Sequence, residues 1–183
     1  DRAEGNKKNA LLKYFSLWGR TLLSAFNPQN KIYHFHYVFP TALVAPILKL
    51  VFRKKIVFTF HGSDLLKGGK KKDKLLSYTL PFSDEIILVS DYLQKEFKNK
   101  FPKHIRKSHS IHCGVNDELF RPLDKEQVKK QLKVPNDKFN ILFLGRTIKD
   151  KGIDVFDEVI ENLKSVDDFN FIIVGDGKEK EEL

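Results

Sequence analysis

The chain has 183 residues, 41% hydrophobic and 31% charged, with a net charge of +9 and a single cysteine, Cys113. That composition supports a globular core and excludes wholesale disorder, while a lone cysteine excludes a disulfide framework within the chain and suits a reducing, cytoplasmic compartment. The charge is uneven: Phe139 to Leu183 hold six Lys or Arg against eleven Asp or Glu, a net −5, which leaves +14 on the first 138 residues and predicts two units with different partners.

The start, Asp1 to Lys8, has no apolar signal-peptide region, and the chain contains no Met, so an internal segment of a longer protein is expected. Asn9 to Phe26 reads as an amphipathic helix with Leu12, Phe15, Leu22, Leu23 and Phe26 at helical spacing, ended by Asn27-Pro28-Gln29-Asn30. Ile32 to Phe35 reads as a short strand. Pro40 to Phe52 reads as a buried helix; its apolar run from Thr41 is too short to span a bilayer and is interrupted by Lys49. Ile56 to Phe60 reads as a buried strand that stops at His61-Gly62-Ser63-Asp64. Lys70-Lys71-Lys72 opens a polar helix, Glu85 to Val89 is the next strand, and Ser90 is placed to cap a helix over Asp91 to Lys100. Ser108 to His112 reads as one more strand.

Between Asn116 and Lys138, Pro122 and Pro135 flank a short charged helix, and the domain joint is placed here, giving units 1–115 and 116–183. Phe139 to Leu144 is then a strand ending in Gly145-Arg146. Ile153, Phe156, Val159, Ile160 and Leu163 form a helical stripe, and Phe169 to Val174 is a strand closed by Gly175-Asp176-Gly177. Continuous apolar strands alternating with helices suit parallel sheets covered on both faces. The expected fold is α/β, with two Rossmann-like units, the first lacking its start and the second truncated after two strands.

Ligands in such sheets sit beyond the carboxyl ends of strands. Arg146 lies at one such end, and Lys151 lies where the next helix begins, a position that favours anions. Arg can make forked bonds to phosphate and Lys adds a point charge, while Gly145 and Gly152 permit a tight turn. Spacing alone equally describes a βα turn with two solvated cations. His61 can donate a hydrogen bond to a reacting group, with Ser63 or Asp64 capping the next element, or it is a structural histidine in a turn. His34 and His36 share one strand face but lack a third ligand at regular spacing, so packing is expected there rather than zinc. Gly175 and Asp176 either border a nucleotide or simply turn the chain. No Walker A sequence, full G-x-G-x-x-G, G-x-S-x-G elbow or zinc-finger spacing occurs.

Taken in order, four pieces resemble the retaining glycosyltransferases of family 4, which have the GT-B fold. They are His34-Phe35-His36-Tyr37, Thr59 to Asp64, Ile111 to Asn116 with Phe120-Arg121-Pro122, and Ile141 to Gly152 followed by Val174-Gly175-Asp176-Gly177. Cys113 and Asn116 depart from the family's commonest residues. The resemblance implies a nucleotide-diphosphate sugar as co-substrate, held mainly by the second unit, an acceptor held mainly by the first, and retention at the anomeric carbon. It implies that Arg146 and Lys151 stabilise the departing diphosphate, that His61 acts at the transferred sugar, and that no metal or other cofactor is needed. The family's glutamate pair falls outside this chain, as do its first strand and glycine-rich loop, so the segment by itself is expected to be inactive. A glycan or lipid-linked acceptor is expected, with the basic first unit suited to an anionic membrane surface at the inner face of the plasma membrane. Nucleic acid is not expected, because the charge is Lys-rich without organised Arg and aromatic stacking. Two other readings remain: a non-catalytic binding or scaffold protein with this fold, or another GT-B enzyme such as a sugar-nucleotide epimerase or a phosphorylase.

Overall fold

The computed structural model describes residues 2–181, with side chains described over 12–179. The chain divides into two compact units, Asp1–Val115 and Asn116–Leu183.

The first unit opens with helix α1 (Arg2–Ser24) and follows it with strand β1 (Ile32–His36). The helix begins seven residues earlier than its apolar spacing predicted. Its buried stripe also differs: Trp18, Leu22 and Ala25 pack on the core, whereas Leu12, Phe15, Leu23 and Phe26 are exposed. The inward residues are spaced four and three apart, which is one helix face; the sequence carries apolar residues on a second face as well.

The single helix expected over Pro40 to Phe52 is broken into α2 (Val38–Thr41), a 3₁₀ turn at Ala42–Val44, and α3 (Ala45–Leu50). Phe39 is extended at φ −104°, ψ 130°. It precedes Pro40, and a residue before proline is pushed out of the helical region. Pro46 sits in the first turn of α3, where its missing N–H costs nothing.

Strand β2 (Lys55–Phe60) and the one-turn helix α4 (Ser63–Leu66) come next, then α5 (Lys70–Thr79), β3 (Glu85–Leu88), α6 (Asp91–Lys100) and β4 (Ser108–Ser110). Ser90 caps α6 as expected, its Oγ accepting from the Leu93 N–H at 3.2 Å. The four strands pair in parallel in the order β1-β2-β3-β4. Ile56, Phe58, Phe60, Ile86 and Leu88 are fully buried with Leu48, Leu65, Leu80 and Phe97. Parallel order brings every strand's carboxyl end to one edge, and the register sets His36 beside Thr59, so the residues that follow β1 and β2 are neighbours.

The second unit contains α7 (Lys125–Leu132), β5 (Phe139–Leu144), α8 (Ile153–Leu163) and β6 (Phe169–Val174). The Asp124 carboxylate caps α7 through the Gln127 N–H at 2.9 Å. β5 and β6 pair in parallel over their full length, Phe139 with Phe169 through Leu144 with Val174. Phe156 of α8 packs against Phe143 and Phe171, so the predicted stripe does face the sheet. Among the described residues no helix is long and apolar enough to cross a membrane.

Candidate functional site

Two sets of residues lie beyond strand ends, one in each unit. In the first unit they follow β1 and β2. His36 ends β1, and Tyr37 turns the chain in a left-handed conformation, φ 55° and ψ 68°. His61 follows β2, and Gly62 turns it at φ 117°, a region L side chains rarely adopt. The two turns meet. The rings of Tyr37 and His61 stack with centroids 4.6 Å apart and planes 23° apart. His36 Nδ1 lies 2.9 Å from His61 Nε2. A bond between two ring nitrogens needs one donor and one acceptor, so one proton is held between this pair. His34 stands next in the row, its ring 4.3 Å from that of His36 and its Nε2 2.7 Å from Thr59 Oγ1. Burial, then the charges of His36 and His61, hold the His34 pKa below the ordinary histidine value.

Ser63 and Asp64 do not cap α4 with their side chains, as the spacing had predicted; Gly62 occupies the N-cap position. Asp64 turns back instead. Its carboxylate is 5% exposed, with Oδ1 accepting from the N–H groups of His61 (2.9 Å) and Gly62 (3.0 Å), and Oδ2 from the Val38 N–H (3.1 Å). Ser63 is exposed, and its carbonyl accepts from Lys72 Nζ at 3.4 Å. No group of three or more His, Cys, Asp or Glu among the described residues is arranged to hold a metal ion.

In the second unit the ladder between β5 and β6 continues past both strands. Gly145 N–H donates to the Val174 carbonyl (3.0 Å) and Thr147 N–H to that of Asp176 (3.1 Å). The loops that start at Gly145 and Gly175 therefore run side by side, with Thr147 fully buried between them. A Cβ on Gly175 would lie 1.7 Å from the Gly145 carbonyl oxygen, so close approach is what this glycine provides. Arg146 and Lys151 are both exposed. Lys151 sits in a 3₁₀ turn (Lys149–Lys151) just before α8; left-handed Gly152, φ 78°, separates it from the first helical residue, Ile153. Of the six Lys or Arg between Phe139 and Leu183, three fall within Arg146 to Lys151. That turn is thus the cationic end of an otherwise acidic segment.

Motif spacing pointed to His61, Arg146 and Lys151 and set His34 and His36 on one strand face as packing residues, but it did not foresee the contacts of Tyr37 and His36 with His61 or the backbone role of Asp64. The signal for those contacts was that His36-Tyr37 and His61 each stand at the carboxyl end of a strand, and the two strands are neighbours.

Two parallel α/β units with loops of this kind at their strand ends make this a chain of the GT-B fold class. Crystal structures of Anabaena HepE share the fold: the complex with UDP has a TM-score of 0.62 at 19% identity, over 78% of this chain and 39% of that one, and the complex with UDP and glucose has a TM-score of 0.59 at 18% identity over the same shares. The Glycosyltransferase Family 4 model matches residues 4–119 and the Glycosyl transferases group 1 model matches 124–183. The chain belongs to glycosyltransferase family 4. An uncharacterised glycosyltransferase of Methanocaldococcus jannaschii is 33% identical over 150 residues, 79% of this chain and 36% of the relative. The N-acetyl-alpha-D-glucosaminyl L-malate synthase of Bacillus anthracis is 24% identical over 152 residues, 81% and 40% of the two chains. The chain thus spans well under half the length of these relatives.

Proposed function

We propose that this chain is part of a retaining glycosyltransferase that moves a sugar from a nucleotide diphosphate to a hydroxyl of a glycan or lipid-linked acceptor. The observation that carries the reading is the cationic turn between β5 and α8, where Arg146 and Lys151 both precede the helix start in an otherwise acidic segment. As the bond from the anomeric carbon to the diphosphate breaks, negative charge grows on the diphosphate oxygens, and fixed cations stabilise that change without reorganising. They do the work a metal does elsewhere, so no metal or other cofactor enters the reading. His61 acts at the sugar undergoing transfer, held by Tyr37 and His36. Gly145 and Gly152 shape the diphosphate turn, and Gly175 and Asp176 border the nucleotide. The HepE complexes with UDP and UDP-glucose put uridine nucleotides first among donors to try.

The acceptor-side unit faces an anionic membrane at the cytoplasmic surface in this reading. From Gly5 to Ser63 the sequence has nine Lys or Arg and no Asp or Glu. In this reading the segment alone does not turn over, because it spans well under half the length of its relatives.

Arg146→Ala and Lys151→Ala in the full-length protein are each expected to lower kcat about 100-fold or more, the scale of losing one oxyanion donor. The assay is sugar transfer with a panel of nucleotide sugars and lipid-linked acceptors. Full activity in both variants would show that the diphosphate binds elsewhere.

A further inference from the structure

We infer that Asp64 is a positioning residue: its buried carboxylate ties the turn after β1 to the turn after β2 and thereby sets the orientation of the His61 ring. The inference rests on His61 acting in transfer, as proposed above.

Three backbone N–H groups converge on this one side chain. Two belong to the His61-Gly62 turn and the third belongs to Val38, 26 residues away in sequence. Both turns hold left-handed backbone, at Tyr37 and at Gly62. A bulky residue such as Tyr37 keeps such a conformation only where its surroundings over-determine it. The Asp64 bond falls on the residue next to Tyr37, and Thr41 Oγ1 donates to the Tyr37 carbonyl at 2.9 Å. The carboxylate therefore fixes where the tyrosine ring lies, and the tyrosine ring stacks on His61. On the other side of the same oxygens, the His61 N–H is held directly.

The chemistry of the donor set explains why an acid stands here. An ionised carboxylate only accepts, and its two oxygens serve three N–H groups. Asparagine has the same shape but offers one oxygen and one NH₂. In one orientation its NH₂ faces the Val38 N–H; in the other it faces those of His61 and Gly62. Either way a donor meets a donor, and one of the two turns is released. The side chain is nearly covered, so water does not replace the lost bond readily.

The test is Asp64→Asn in the full-length protein, alone and combined with His61→Ala, with the His61 ring followed by NMR in histidine-labelled protein. A ring displaced by a fraction of an ångström loses catalytic alignment steeply, so kcat is expected to fall about 10- to 100-fold in the single variant. The KM for the nucleotide sugar is expected to stay within about 2-fold, because the diphosphate turn belongs to the other unit. The His61 ring signals should shift, and Asp64→Asn should cost little further once His61 is Ala. Unchanged His61 signals, losses that simply multiply in the double variant, or a variant that fails to fold would each overturn the inference and leave Asp64 a stability residue. The ring signals separate this from the parent reading: if His61→Ala keeps full activity, the role of His61 fails, while the NMR shift still reports whether Asp64 positions the ring.

Discussion

Asp84 precedes β3, yet its carboxylate reaches two other elements. Oδ2 accepts from the Ile56 N–H at 2.7 Å near the start of β2, and Oδ1 pairs with Lys49 of α3. Burial pushes its pKa up, but the bonds from Lys49 and from the Ile56 N–H outweigh that and hold it below the ordinary carboxylate value. A depressed folded value means the unfolded chain binds the proton more readily. The stabilisation is therefore fully present above the unfolded value, about pH 4, and is lost as pH falls through the folded one. Asp84→Asn is expected to destabilise the first unit by about 1 kcal/mol at neutral pH, the scale of a hydrogen bond to a charged group after solvent screening. Its urea midpoint should also fall less steeply than the parent's below about pH 4. Equal acid sensitivity in the two proteins would assign the acid response to other carboxylates. Asp84 and Asp64 share a reason for being hard to read in advance. Each bonds backbone on a strand or turn about 26 to 28 residues away, which becomes adjacent only when parallel strands pair. The turns that carry Arg146, Lys151 and His61 were legible because each begins where its own strand stops.

Elements were read well where one residue pattern decided them and poorly where two competed. Strands β2, β3, β5 and β6 are mostly apolar runs with single polar residues, and all four lie where the runs lie. The stretch after β1 combines strong apolar character with Pro40 and Pro46, and a 3₁₀ turn at Ala42–Val44 divides what hydrophobicity alone would join. At α1 the apolar residues outnumber one face, so only packing against the core, α2 and the following 3₁₀ turn reveals that Trp18, Leu22 and Ala25 turn inward. The Gly175-Asp176-Gly177 turn posed a different problem, since a nucleotide border and a plain turn demand the same residues. Its geometry adds a third demand. A Cβ at Gly175 would meet the Gly145 carbonyl at 1.7 Å, and one at Gly177 would meet the Thr147 carbonyl at 2.2 Å. Backbone cannot give way as a flexible side chain can. Gly152 has open space around it, so a side chain there meets only the left-handed penalty of about 1 kcal/mol. Gly175→Ala and Gly177→Ala should therefore destabilise the second unit more than Gly152→Ala does. They should also displace the Arg146 turn and weaken binding of a nucleoside diphosphate, measured by calorimetry on the full-length protein beside urea unfolding. If Gly152→Ala proves the most damaging of the three, the paired loops are not what holds this turn.

At the scale of the whole molecule, charge is the property that separates the two units. The second is acidic from β5 onward, with cations gathered at the turn from Arg146 to Lys151, whereas the first runs for 59 residues without an acid. Many of its cations point to water: Lys13, Arg20, Lys31, Arg53 and Lys55 are exposed, and so are Lys70 and Lys71 at the head of α5. Lys72 differs, because its amine reaches the Ser63 carbonyl and burial lowers its pKa. Exposed apolar residues share this unit, among them Phe15, Leu23 and Phe26 of the α1 region and Leu50 and Val51 at the end of α3. Cations beside exposed apolar side chains match an anionic bilayer, where headgroup charge attracts Lys and Arg and the interface accepts the apolar groups. Each cation near such a surface contributes about 1 kcal/mol. The protein is then expected to float with vesicles containing phosphatidylglycerol and not with phosphatidylcholine alone, and to be released by about 0.5 M salt, which shortens the screening length to a few ångströms. Lys70→Gln with Lys71→Gln removes two charges, so vesicle affinity should fall roughly 30-fold while donor binding is untouched. Lys13→Gln with Arg20→Gln tests α1 on the same scale. If one pair weakens binding and the other does not, the membrane-facing side of this unit is identified; if neither does, and salt has no effect, the acid-free segment does not serve a lipid surface and its charge meets the acceptor itself.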